Sequence, residues 1–154
     1  MNQKLTFSKD FWSSTYEIKD GNRVLVRTEK KSIWSYDSIV KIDDEEFLFD
    51  VNGIFSNTIN IYDSQNQLIG TVDLSTWSSK ATIDLKHSKL YYFRKTDFFS
   101  SEWEIANDQQ ALIYFKKDWF VSGGTIDVYE ENKTLLAIGV FLISLYQQKA
   151  AATA

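Results

Sequence analysis

The sequence predicts a mainly β protein: a closed antiparallel barrel of about 12 strands, built from three four-stranded repeats around a buried, apolar C-terminal α-helix. Three observations lead there. Short segments alternate apolar and polar residues, three copies of one pattern follow each other along the 154 residues, and the chain ends in a run that is apolar on every side.

The alternation is clearest in Thr15-Tyr16-Glu17-Ile18, Thr58-Ile59-Asn60-Ile61 and Glu102-Trp103-Glu104-Ile105. A large apolar residue falls at every second place, the period of a strand with one face inward. Proline is absent throughout, which removes one strand breaker, and glycines such as Gly21, Gly53, Gly123 and Gly124 read as turn residues.

The repeat starts with Phe11-Trp12-Ser13-Ser14, echoed by Ile54-Phe55-Ser56-Asn57 and again by Phe98-Phe99-Ser100-Ser101, at offsets of 43 and 44 residues. Each copy runs through its alternating strand into a polar turn (Asp20-Gly21-Asn22, Asp63 to Asn66, Asn107-Asp108-Gln109) and returns at Leu25-Val26, Leu68-Ile69 or Leu112-Ile113. A second pair of strands follows. Trp34, Trp77 and Trp119 mark its approach, Ile39 to Ile42, Thr82 to Leu85 and Thr125 to Val128 form its first member, and Phe47-Leu48-Phe49 and Leu90 to Phe93 form its second in the first two copies. In the third copy the apolar helix is expected to replace or overrun that fourth strand. The units span about 11–53, 54–97 and 98–133 of one domain, with the helix at about 134–148.

The run Leu135 to Tyr146 needs an enclosure on all sides. At 1.5 Å per residue it spans roughly 18 Å, whereas a bilayer needs about 20 apolar residues to cross roughly 30 Å. Protein is therefore the expected wrapping. A closed sheet of about 12 strands has a lumen too wide for its own side chains to fill, and the rod suits it. A three-bladed propeller offers no such seat. Asn132 or Thr134 is placed to cap the helix, Glu130 and Glu131 lie near its positive end, and Lys149 near the other. Gly139 in mid-helix disfavours it by about 1 kcal/mol against alanine, so a strand or a large ring is expected to approach closely there.

A barrel of this rhythm closed around a C-terminal apolar helix resembles the tubby-like superfamily, which includes the tubby C-terminal domain, the phospholipid scramblases and the LURP-one-related proteins. The likeness runs from Phe11 to about Gln148, through the strand pattern, the turn Ile61 to Gly70 and the helix. It implies a non-catalytic barrel, and since some tubby-like domains bind phosphoinositide headgroups, an anionic lipid as one ligand class. The segment Asp127 to Asn132 lacks the alternating oxygen ligands and central glycine of a calcium loop, so no calcium site is expected.

Composition narrows the chemistry. With no cysteine there is neither a disulfide framework nor a thiolate site, and with His87 alone a multi-histidine metal site is excluded. No cofactor is expected. His87, in Lys86-His87-Ser88-Lys89, reads as a solvated turn residue. Glu17 and Glu104 hold equivalent outward positions and do not read as an acid–base pair. Gly123-Gly124 lacks the Lys-Ser or Lys-Thr of a phosphate loop. The net charge of −4 argues against nucleic acid as a partner. No transmembrane segment and no secretory signal are read at Met1 to Phe7, so cytoplasmic residence is expected, with peripheral membrane contact under one of the readings below.

Charge inverts between equivalent hairpins. Asp37 to Asp50 holds six acids and one lysine, while Lys80 to Lys95 holds five basic residues and one acid. Lys80, Lys86, Lys89, Arg94 and Lys95 are thus the candidate ligand-binding residues. Two readings follow. The chain is a protein–protein interaction or structural module, whose partner includes a copy of itself through the oppositely charged hairpins; alternatively the basic hairpin binds anionic phospholipid headgroups. An enzyme would need a polar cleft between helix and barrel mouth.

Overall fold

A computed structural model describes residues 2–10, 15–32, 35–51, 57–75, 80–86, 88–96, 101–118 and 123–153, with side chains as far as Gln148. Residues 11–14, 54–56 and 98–100 of the aromatic-serine motifs, the tryptophans Trp34, Trp77 and Trp119, Gly53 and His87 lie outside the described residues. The remainder forms twelve strands and one helix: β1 (Gln3–Lys9), β2 (Tyr16–Asp20), β3 (Arg23–Lys30), β4 (Ser38–Ile42), β5 (Glu45–Val51), β6 (Thr58–Tyr62), β7 (Leu68–Leu74), β8 (Lys80–Leu85), β9 (Leu90–Lys95), β10 (Glu102–Ala106), β11 (Ala111–Asp118), β12 (Gly123–Val128) and α1 (Lys133–Thr153).

Every strand pairs antiparallel with the next from β2 to β12, and the ring closes because β1 lies between β12 and β2. This corrects one sequence expectation. The helix does not take the place of the fourth strand of the third copy; β1 does, standing to β12 as β5 stands to β4 and β9 to β8. Leu5 and Phe7 point inward from it and are buried. Their alternation with Lys4, Thr6 and Ser8 is ordinary strand patterning, but it lies at the opposite end of the chain from the copy it completes.

The threefold repetition extends to register. β2–β3, β6–β7 and β10–β11 each carry an irregularity just after the repeated isoleucine, at Ile18/Lys19, Ile61/Tyr62 and Ile105/Ala106. A bulge adds local twist and bends its strand, which helps a sheet curl to closure. The three isoleucines are fully buried, as are Val40, Ile83 and Ile126 at the other equivalent inward position. Gly123 and Gly124 open β12 and are strand residues, not a turn. A Cβ on either would run into the backbone of Phe7 and Ser8 or of Lys116 and Lys117, so β1 and β11 close on β12 only because both positions are bare.

The two ends of the barrel differ. One, the turn rim, carries the tight turns at 20–22, 43–44, 63–67, 86–89 and 107–110 and the entry into α1; the other, the loop rim, carries the connections at 10–15, 31–37, 52–57, 75–79, 96–101 and 119–122. The helix enters at the turn rim. Asn132 caps it, its Oδ1 accepting the Leu135 N–H at 3.1 Å, while Lys133 Nζ holds the Asp43 carboxylate at 2.8 Å. Glu130 and Glu131 precede the cap, and the first turn itself holds no acidic residue.

Every residue from Leu135 to Leu145 is buried. Phe141 meets Phe49 edge-on at 5.1 Å, Tyr146 stacks on Phe93 at 6.1 Å and donates its hydroxyl to the Lys80 carbonyl at 3.0 Å. Gly139 faces the ring of Phe115, the close aromatic approach that the sequence required. Each of the eight large apolar side chains of this run contributes roughly 1.5–3 kcal/mol by leaving water. No helix among the described residues is long and apolar enough to cross a membrane.

Candidate functional site

Because α1 occupies the lumen, side chains available to a partner lie on the outer wall and the rims. Strand pairing divides the five candidate cations. Lys80 opens β8 and stands directly opposite Arg94 on β9, both at the loop rim. Lys86 and Lys89 flank the β8–β9 turn at the other end of the hairpin, with Lys86 six residues or about 20 Å along the strand from Lys80. Lys95 falls on the same side of β9 as the buried Phe93, facing away from the outer wall that Lys80 and Arg94 share. The five residues therefore make a pair, a second pair at the opposite rim, and a lysine turned the other way.

Lys80 and Arg94 border an open groove of about 430 Å³ on the outer wall of β7, β8 and β9. Its other polar walls are Asp73, Ser75, Thr82 and Tyr92. Alternation places them there: Asp73 and Thr82 are register partners, as are Thr82 and Tyr92, and each lies between inward residues of its own strand. Arg94 is half engaged, since its Nε donates to Glu104 Oε1 on β10 at 2.5 Å. Glu104 lies on the outer face as the pattern predicts, yet the residue is only 8% exposed, so the arginine is the counter-ion that keeps that carboxylate compatible with burial. Asp73 accepts the Thr58 hydroxyl at 3.2 Å. Lys80 has no ion-pair partner among the described residues.

Two hydroxyls near these elements are shifted upward. Tyr92 is raised chiefly by the neighbouring negative charge of Asp108, with burial and a hydrogen bond to that same carboxylate adding to it. Tyr146, behind the groove, is pushed up to about 12 by burial. Neither is poised to lose a proton near neutrality. Elsewhere, the Asp50 carboxyl lies above the usual range through burial, then the charge of Asp37 and a hydrogen bond to it, with Lys31 opposing. Among the described residues no group of three or more histidines and carboxylates is arranged to hold a metal ion. Glu17, the equivalent of Glu104, is bound to Arg27 at 3.4 Å and forms no pair with Glu104.

The barrel has the fold of a solved plant protein. The X-ray structure of the Arabidopsis thaliana protein AT5G01750 superposes with a TM-score of 0.61 over 92% of this chain and 89% of that one, at 11% sequence identity. No protein-family model and no curated protein matches the sequence. At this identity the likeness establishes architecture: a twelve-stranded barrel around a C-terminal helix.

Sequence reasoning missed Asp73, Ser75, Thr82 and Tyr92 as groove residues. Thr82 and Tyr92 carried a signal, since both share the outward parity of Lys80 and Arg94 on a hairpin of known turn. Asp73 joins them only through the register of β7 with β8, set across the connection at 75–79.

Proposed function

We propose that the chain is a non-enzymatic binding protein on a tubby-like barrel, with a protein–protein interaction or structural role. The observation that carries this reading is the cross-strand pair Lys80–Arg94 over the β7–β9 groove. Like charges directly opposite in an antiparallel pair destabilise a sheet, and Glu104 answers only one of these two. An acidic side chain from a partner would relieve the repulsion. Tyr92 offers an aromatic surface beside it, and Asp73 on the other side of the groove suits a polypeptide carrying both signs of charge better than a compact, uniformly negative group.

The filled lumen supports the same class, since Leu135 to Leu145 and the inward strand residues occupy the barrel interior and leave the outer wall and rims for contact with a partner. The expected residence is the cytoplasm. No cofactor, metal or nucleic acid enters this reading.

A second reading, peripheral binding of anionic phospholipid or phosphoinositide headgroups, draws on the cations of one hairpin, of which Lys80, Lys86, Lys89 and Arg94 remain available once Lys95 is turned from the outer wall. It requires the barrel to lie on its side, with β8–β9 against the membrane, since standing on either rim engages only one group. Each basic side chain near an anionic surface contributes about 1 kcal/mol. A two-part experiment separates the readings. Amide chemical shifts are followed during titration with a glutamate-rich peptide and a neutral peptide of equal length, and flotation is measured with phosphatidylserine-containing and neutral vesicles. Shifts at Lys80, Thr82, Tyr92 and Arg94 from the acidic peptide alone support the interaction reading. Salt-sensitive flotation with anionic vesicles, lost in Lys86→Glu/Lys89→Glu, replaces it with the lipid reading. No response in either arm overturns both.

A further inference from the structure

The repeats make the turn rim comparable place by place. The β4–β5 turn and the β8–β9 turn are equivalent, one third of the ring apart at the same end of the barrel, and they carry opposite charge. In the first, Lys133 holds Asp43 and Lys41 reaches Glu46 at 3.6 Å, whereas Asp44 and Glu45 are exposed with no ion-pair partner among the described residues. In the second, Lys86 and Lys89 are likewise exposed and without an ion pair among the described residues, on a turn fixed by the Ser88 hydroxyl, which donates to the Leu85 carbonyl at 2.8 Å.

Between them lies the β6–β7 turn, whose fully exposed residues are uncharged. Its one acid, Asp63, is turned onto its own backbone, accepting the N–H groups of Gln65 and Gln67 at 2.9 Å each. Ser64, Gln65, Asn66 and Gln67 are left facing solvent.

We propose that this half of the turn rim is a self-complementary surface on which a second copy of the chain docks, about a twofold axis through the β6–β7 turn. Such an axis exchanges the flanking turns, so each Asp44/Glu45 pair meets the partner's Lys86/Lys89 pair, and two identical acid–base contacts form together. A residue on the axis meets its own copy. A charge there would repel itself, whereas amides and a hydroxyl donate and accept and so match their own copies. The axis is tilted from a flat rim-to-rim stack, because Glu130 and Glu131 sit across the ring from the β6–β7 turn and a flat stack would set them against themselves. The rims meet at one half and diverge at the other. Contacts of this kind are exposed, so the association is reversible and screened by salt.

Sedimentation of the full chain tests the proposal at roughly 0.01 M and 1 M ionic strength, where the screening length is about 30 Å and 3 Å. A dimer at low salt, with its dissociation constant raised about tenfold or more at high salt, is expected. Lys86→Glu/Lys89→Glu and Asp44→Lys/Glu45→Lys are each expected to be monomeric at low salt with an unchanged circular dichroism spectrum. Mixed in equal amounts, the two variants are expected to form a heterodimer, since each presents two charged turns of one sign. Lys80→Glu, in the separate outer-wall groove, is expected to leave the dimer intact. A monomeric parent chain at low salt, a variant that still self-associates, a mixture that stays monomeric, or a dimer broken by Lys80→Glu would each overturn the twofold docking.

Discussion

Replacing Gly139 by alanine sets two effects of opposite sign against each other. Alanine is favoured over glycine inside a helix by about 1 kcal/mol. The new Cβ, however, would sit closest to Phe115 Cζ, with Cε2 at 2.7 Å and Cε1 at 2.9 Å, where carbon atoms prefer 3.5–4.0 Å. Either the ring or the helix has to retreat by about an ångström. Phe115 is 1% exposed, and its register partners Trp103 and Ile126 are buried beside it, so the ring has little room. Overpacking of this kind typically destabilises by about 1–3 kcal/mol, and strain shared between a rigid ring and a helix enclosed on all sides belongs at the upper end. The expected net loss is about 1–2 kcal/mol, read in urea as a lower midpoint at unchanged m, and in heat as a Tm lowered by about 2–4 °C per kcal/mol. Phe115→Leu removes the ring edge that meets the new methyl. In a double-mutant cycle the pair should recover stability relative to the sum of the single changes, with a coupling of at least about 0.5 kcal/mol. A Gly139→Ala protein as stable as the parent, or an additive cycle, would refute the close approach of helix and ring.

Three further outcomes are expected. Phe7→Ala, in the strand that closes the ring, should destabilise by about 3–5 kcal/mol in thermal or chemical melts, while Lys4→Ala on the outer face of the same strand stays within about 0.5 kcal/mol. Asn132→Ala leaves the Leu135 N–H without its acceptor and should lower stability by about 1 kcal/mol, with Asn132→Asp retaining most of it. Tyr146 has its hydroxyl raised from 10.0 to about 12 by burial, so the folded chain holds that proton more tightly than the unfolded one. Its stabilisation is complete below pH 10 and is lost as pH rises toward about 12. Tyr146→Phe gives up the bond to the Lys80 carbonyl, about 1 kcal/mol at neutral pH, and its deficit against the parent should shrink in melts above pH 10.

The wall of the barrel was legible because inward positions tolerate little. Ile18, Ile61 and Ile105 recur at nearly constant spacing, as do Val40, Ile83 and Ile126, and each set faces the helix. The apolar run Leu135 to Tyr146 then fixed closure, since a rod with no polar face needs a ring around it. The identity of the closing strand was not legible. Gln3–Lys9 completes the third copy in space, but a search along the chain finds copies only where chain order and spatial order agree. How the candidate site residues group in space was hidden for a related reason. Lys80 and Arg94 are fourteen positions apart and face each other, whereas Lys86 lies nearer to Lys80 in sequence and at the other end of the barrel. Contiguous charge on a hairpin is divided by the hairpin's own length. The buried Glu104 that occupies Arg94 comes from a strand beyond the 96–101 connection.

The same repetition that makes the fold readable also leaves its outer face free to differ from unit to unit. At equivalent outward positions the three units carry Glu17, Asn60 and Glu104, or Lys41, Asp84 and Asp127, or Ile39, Thr82 and Thr125. The inward residues between them are held apolar by the helix, so substitutions on the wall leave the core contacts in place and change only what the wall presents. Three copies of one scaffold thus yield three different surfaces. The groove belongs to the second unit and not to the first because Lys80, Thr82 and Tyr92 stand on its wall, where Ile39 and Leu48 stand on the wall of the first.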